Sequence, residues 1–206
     1  VKAMMVLGAA LALTLASALA QEGKTTTFPL VDPQTDDPVL KPIFDGMRAR
    51  GAGPLHIHRT IGHAPEIYKG FAAFATALRQ PGATSRGDRE LIILRTTQLR
   101  KGDYEFAQHR RIGLTCGLTE AQVDGLADWK AKSVYSPRQQ MILAFADAMV
   151  ADGEVSDDLL ARVKQTFSPK EIVELAMNSA FYTAVVQFST AVRVEPETET
   201  TSYAGC

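Results

Sequence analysis

From Ser85 to Leu118 the chain reads SRGDRELIILRTTQLRKGDYEFAQHRRIGLTCGL, and this stretch constrains the fold more than any other. Leu91, Ile92, Leu94 and Leu99 form an apolar face too broad for a surface helix, so the first half predicts a central helix. Ser85 is its expected N-cap, and Asp88 supplies first-turn negative charge that complements the helix dipole. Lys101-Gly102-Asp103 breaks the pattern, glycine being the usual residue where a helix must stop. A second helix is expected from about Tyr104 to Cys116, ending at Gly117.

A hairpin of two such helices sets residues level with each other. With the turn centred near Arg100, Glu90 lies ten residues before it and His109 nine after. At roughly 1.5 Å rise per residue both sit about 14 Å from the turn. Glu105 and His109 are four apart and share a helix face, with Tyr104 one position round. Glu90, Glu105 and His109 can therefore converge as an acid/base group. The same spacings also fit an ordinary surface pair, Glu105 with His109, and a Glu90 that only binds an arginine.

The remaining chain is punctuated as helices. Thr119 with Gln122, Ser136 with Gln139 and Ser168 with Glu171 match the capping-box pattern, and Ser156 precedes Asp157 and Asp158. Helices are expected over about 65–79, 120–130, 137–151, 157–165 and 169–190. Asp37-Pro38 starts an earlier one, with Leu40, Ile43, Phe44 and Met47 at helical spacing, and Gly51 to Pro54 ends it. No stretch alternates with period two for long enough to compete as a strand. The expected fold is all-α, with about seven helices per subunit.

Residues 1–20 read as a secretory signal peptide. Lys2 is the basic start, Met4 to Leu15 the apolar region, and Ala18-Leu19-Ala20 the cleavage site before Gln21. The competing reading is an uncleaved membrane anchor. Cleavage implies a periplasmic or secreted protein with no stable membrane insertion. Residues 21–37 are expected to be an extended arm, 38–195 a helical domain and 196–206 a flexible tail.

Net charge is −1, with 22 basic and 23 acidic residues, so nothing points to nucleic acid. No P-loop, dinucleotide fingerprint or zinc-protease motif appears, and no cofactor is expected. His56 and His58 would share a metal-binding face only on a strand. The helical pattern around them predicts a loop and helix start instead, with His63 capping the helix at Pro65 and no metal. Cys116 lies on roughly the face of His109, as a reactive thiol or a small buried residue, and can bridge to Cys206. Cys206 could equally pair with another chain.

The run RELIILRTTQL, then YEFAQH, then GL, resembles the core of the carboxymuconolactone decarboxylase family, which includes alkylhydroperoxidase D. The resemblance extends upstream through HRTIGHAPEIYKGFAAFATAL and downstream through EIVELAMNSAFYTAVVQF, from about Leu55 to Glu195. It implies an all-helical fold assembling as trimers or hexamers. The peroxidase branch carries a glutamate, a Cys-x-x-Cys pair and a histidine. Glu90 and His109 fall on the glutamate and histidine, but Gly102 and Glu105 occupy the cysteine positions. The reading that follows is an exported, cofactor-independent lyase or isomerase acting on a small carboxylated substrate. In it His109 is the general acid/base, Glu90 orients it and Glu105 raises its basicity. Arg95, or Arg110 and Arg111, holds the substrate carboxylate, with Tyr104 as a further substrate-binding residue. The alternatives are an alkylhydroperoxidase or peroxiredoxin-type antioxidant activity using Cys116, and a helical oligomer that binds without turnover.

Overall fold

The computed structural model describes residues 28–197 and Cys206. The expected signal peptide, the first part of the expected arm and residues 198–205 lie outside the described residues. Among the described residues nine α-helices follow one another: α1 (Leu40–Ala49), α2 (His56–Ile61), α3 (Pro65–Arg79), α4 (Arg86–Leu99), α5 (Asp103–Thr115), α6 (Glu120–Asp124), α7 (Pro137–Asp147), α8 (Asp157–Thr166) and α9 (Pro169–Ala191). A 3-10 segment, Leu126–Ala131, follows α6, and a π turn, Ala148–Asp152, extends α7. Among the described residues there is no strand, as the absence of period-two alternation predicts.

The capping signals do what their chemistry dictates. The hydroxyls of Ser85, Thr119, Ser136, Ser156 and Ser168 each accept a backbone N–H three residues on. Asp37 Oδ1 accepts from Val39 and Leu40 N–H at the entry to α1. The count exceeds seven partly because His56–Ile61 closes into a helix of its own rather than remaining a loop. The helix expected over 120–130 instead breaks at Gly125, and Asp128 leaves helical geometry at φ −122°. His63 does not cap α3: the N-cap is Ala64, and His63 Nε2 lies 2.9 Å from Pro29 O.

Helix α4 is the centre of the molecule. Every side chain from Arg89 to Thr97 is buried, and the helix packs against α5, α7 and α9. Leu91, Ile92, Ile93 and Leu94 are all within 1% of complete burial, each worth about 1.5–3 kcal/mol relative to an exposed position. Lys101 turns the chain in the left-handed region at φ 56°. A Cβ on the next residue, Gly102, would lie 2.4 Å from Val186 Cγ2, so only glycine lets the start of α5 abut α9 this closely.

Two anchors act on the segment expected to be a flexible tail. Glu197 accepts hydrogen bonds from His56 N–H (2.8 Å), the Tyr104 hydroxyl (2.7 Å) and Gln108 Nε2. Cys206 forms a disulfide with Cys116, with Cα atoms 5.4 Å apart. Cys116 is therefore neither a free thiol nor a fully buried packing residue; it is half-buried and bridged.

Candidate functional site

The hairpin of α4 and α5 brings Glu90 and His109 together. Glu90 Oε2 lies 2.7 Å from His109 Nδ1, with both side chains buried. Gly113, one turn beyond His109, opens the approach. A Cβ there would lie 3.0 Å from Leu118 and 3.1 Å from Leu94, so α5 settles closely onto α4 beside Glu90. Glu90 Oε1 meets the guanidinium of Arg86, four residues earlier on the same helix, at 2.5 Å. The Tyr182 ring from α9 stands edge-on to the imidazole, with ring centroids 4.5 Å apart.

The two carboxyl groups beside His109 are shifted in opposite directions. Burial pushes Glu90 up, but His109 and Arg86 together outweigh it and hold the group below the usual carboxylate range. Burial pushes Glu105 up to about 7, with His109 opposing the rise and the charge of Glu197 adding to it. Glu105 Oε2 lies 3.9 Å from His109 Nε2, on the other side of the ring from Glu90. Its Oε1 is buried with no hydrogen-bond partner among the described residues. An ionised Glu90 can only accept, so Nδ1 of His109 carries its proton and Nε2 is directed towards Glu105.

This group opens onto a cavity of about 880 Å³. Its walls include Tyr104, Glu105, Gln108 and His109 from α5, and Phe181 and Tyr182 from α9. Arg79, Arg86 and Arg89 line it as well. Tyr104 reaches the cavity and donates to Glu197; burial, reinforced by Glu197, raises its hydroxyl above the usual tyrosine value.

Arg95 and Arg110 are not brought to the cavity. Arg95 Nε meets Asp147 Oδ1 at 2.6 Å, and its Nη1 donates to Gln98 Oε1 and Leu126 O. It is a pin between α4, α7 and the 3-10 segment. Arg110 faces the surface, where it pairs with Glu120 and Asp124. Of the arginines that do line the cavity, Arg86 and Arg89 precede Glu90 by four and one positions. The helical i,i+4 spacing of Arg86 and Glu90 is the sequence signal for the first of them. Gln108 lies one residue before His109 in the sequence, whereas nothing in the sequence around Glu197 announces its place here. The histidines near α2 diverge: His56 Nδ1 lies 2.9 Å from Glu195 O, and His58 Nδ1 accepts from Leu55 N–H. Among the described residues, no group of three or more His, Cys, Asp or Glu side chains is arranged to hold a metal ion.

Comparison with known proteins fits the same frame. Residues 65–148, which run from α3 into the end of α7, match the Carboxymuconolactone decarboxylase family. An alkylhydroperoxidase AhpD core, an uncharacterized peroxidase-related protein from Ralstonia eutropha JMP134, superposes with a TM-score of 0.74 at 19% identity. That match covers 83% of this chain and 92% of the other. The debrominase Bmp8, in complex with 2,3,4-tribromopyrrole, superposes with a TM-score of 0.72 at 17% identity over 86% of this chain and 95% of its own. An uncharacterized peroxidase-related protein from Silicibacter sp. TM1040 gives 0.70 at 18% identity, over 85% and 96%. No functionally curated protein matches the sequence.

Proposed function

We propose that this chain, whose core is that of the carboxymuconolactone decarboxylase and alkylhydroperoxidase D-like family, is an exported acid/base enzyme. It works without a cofactor as an isomerase or lyase on a small carboxylated substrate. The observation that carries the reading is the 2.7 Å contact of Glu90 with His109 Nδ1, set at a cavity with a second carboxyl group near Nε2. Glu90 holds the ring and its tautomer. His109 Nε2 takes a proton from substrate carbon. Glu105, neutral up to about pH 7, returns a proton to another atom of the substrate, so the double bond shifts with no net redox change. In a lyase variant the C–C bonding pair stays on carbon as carbon dioxide leaves, and Glu105 protonates it.

A thiol peroxidase fits less well. Gly102 and Glu105 stand at the cysteine positions, Val186 fills the space a side chain at Gly102 would need, and Cys116 is bridged to Cys206. The bridge itself supports export, since disulfides persist in oxidising compartments. No helix among the described residues is long and apolar enough to cross a membrane. Assembly as a trimer or hexamer is part of the proposal.

The test is turnover by purified protein on a panel of carboxylated lactones and hydroperoxides. His109→Ala should lower turnover on the lactones by roughly 10²–10⁴, the usual worth of a positioned proton donor or acceptor. Activity on hydroperoxides that survives His109→Ala, appears on reduction of the bridge and is abolished by thiol alkylation would move the assignment to the peroxidase alternative. Binding without turnover across the panel would leave the non-catalytic oligomer.

A further inference from the structure

Arg89 is the unusual charge in this molecule. Its side chain is buried, with the residue 4% exposed, and its Nε has no hydrogen-bond partner among the described residues. The other buried arginine, Arg95, is satisfied by Asp147, Gln98 and a backbone carbonyl. The acidic groups whose charge reaches Arg89 are Glu174, Glu90 and Asp88, and each is engaged elsewhere. Glu174 accepts from Ala83 N–H, Thr84 N–H and the Thr84 hydroxyl. Asp88 pairs with Arg138, and Glu90 with His109 and Arg86. A buried guanidinium without a counter-ion is strongly unfavourable, and folds seldom keep one without a use.

We infer that Arg89 holds the carboxylate of a ligand with an apolar body in the cavity it lines. This rests on and deepens the acid/base reading by naming the residue that anchors the carboxylate in that same site. Arg89, Arg86, His109 and Glu105 line one space, so a ligand anchored on Arg89 meets the imidazole. Phe71, Ile112, Phe181, Tyr182 and Val185 supply an apolar wall for its body. The guanidinium fork matches a planar carboxylate with two parallel hydrogen bonds. Glu90 already balances Arg86, so the enclosed charge left to meet an anion is that of Arg89, with the exposed Arg50 and Arg79 elsewhere on the wall.

The experiment is calorimetric titration of the full chain with benzoate, its neutral isostere benzamide, and inorganic phosphate, paired with thermal melts. Benzoate should bind and raise the melting temperature, and benzamide should bind roughly 10- to 100-fold more weakly, the worth of a charge-assisted hydrogen-bond pair. Arg89→Met should lower benzoate affinity by a similar factor while raising the melting temperature of the ligand-free protein, because it removes an unpaired buried cation. That rise is a signature a merely structural arginine would not give. Arg89→Lys, which keeps the charge without the fork, should bind benzoate with intermediate affinity. His109→Ala should keep benzoate binding, so loss of turnover there, with binding intact, separates failure of the acid/base reading from failure of this one. The assignment is overturned if Arg89→Met destabilises the ligand-free protein and leaves benzoate binding unchanged. Tighter binding of phosphate than of benzoate overturns the carboxylate assignment.

Discussion

Replacing Glu105 with glutamine should flatten part of the protein's pH–stability curve. Glu105 has an ordinary value of 4.5 and is pushed up to about 7 in the fold, chiefly by burial. The folded state therefore binds this proton more tightly than the unfolded state does. Between these two values the unfolded chain holds fewer protons, so stability falls as pH rises. The full difference is roughly 3 kcal/mol, most of which falls between about pH 5 and pH 8. Glutamine resembles the neutral acid and does not titrate. Urea unfolding followed by circular dichroism at the two pH values should show wild type losing ground to Glu105→Gln by about that amount on going to the higher pH. Glu90 does not confuse the measurement: its value is held below 4.5, and its contribution is lost only as pH falls further. Parallel stability curves for the two proteins would falsify the assignment of a neutral Glu105. Glu197→Gln removes the neighbouring negative charge and should move the same transition to lower pH.

Further outcomes are expected. Glu90→Gln should lower turnover by a factor similar to or smaller than that of His109→Ala, read from steady-state kinetics, whereas Cys116→Ser should leave turnover nearly unchanged. The same Cys116→Ser change opens the 90-residue separation closed by the bridge and should cost about 2–4 kcal/mol of stability by chemical denaturation. Gly102→Ala drives a methyl group into Val186 and should cost about 1–3 kcal/mol, the usual effect of overpacking; an unchanged melting temperature would show that α9 yields there. Light scattering should give a mass that is a multiple of three subunits, and a stable monomer at micromolar concentration would count against the assembly.

The pairing of Glu90 with His109 was legible because it depends only on helix rise and the position of one turn, both local. Arg95 was misread for a physical reason. A polar residue in an apolar helix suggests a pocket, but α4 is enclosed on all sides, and the partner of Arg95 is Asp147, 52 residues further on. Spacing within one helix says nothing about which of several buried faces a side chain takes. Arg110 has the same history, since Glu120 and Asp124 reach it from the next helix. Glu197 was hidden because its three donors come from α2 and α5 and nothing in the sequence around it is patterned. The break at Gly125 was hidden because the capping signal at Thr119 fixes where a helix begins and not how long it lasts.

The grip on α4 from two sides has a consequence for motion. Towards α5, Glu90 is tied to His109; towards α7, Arg95 is tied to Asp147, whose second oxygen also accepts from the Trp129 indole at 3.0 Å. The helix can neither slide nor roll without breaking one of these ties. Its backbone amides should therefore exchange with solvent deuterium only through global unfolding. The carboxylate Glu90 then sits on the stiffest part of the molecule, and any opening that admits a ligand must come from the elements that close the cavity around it.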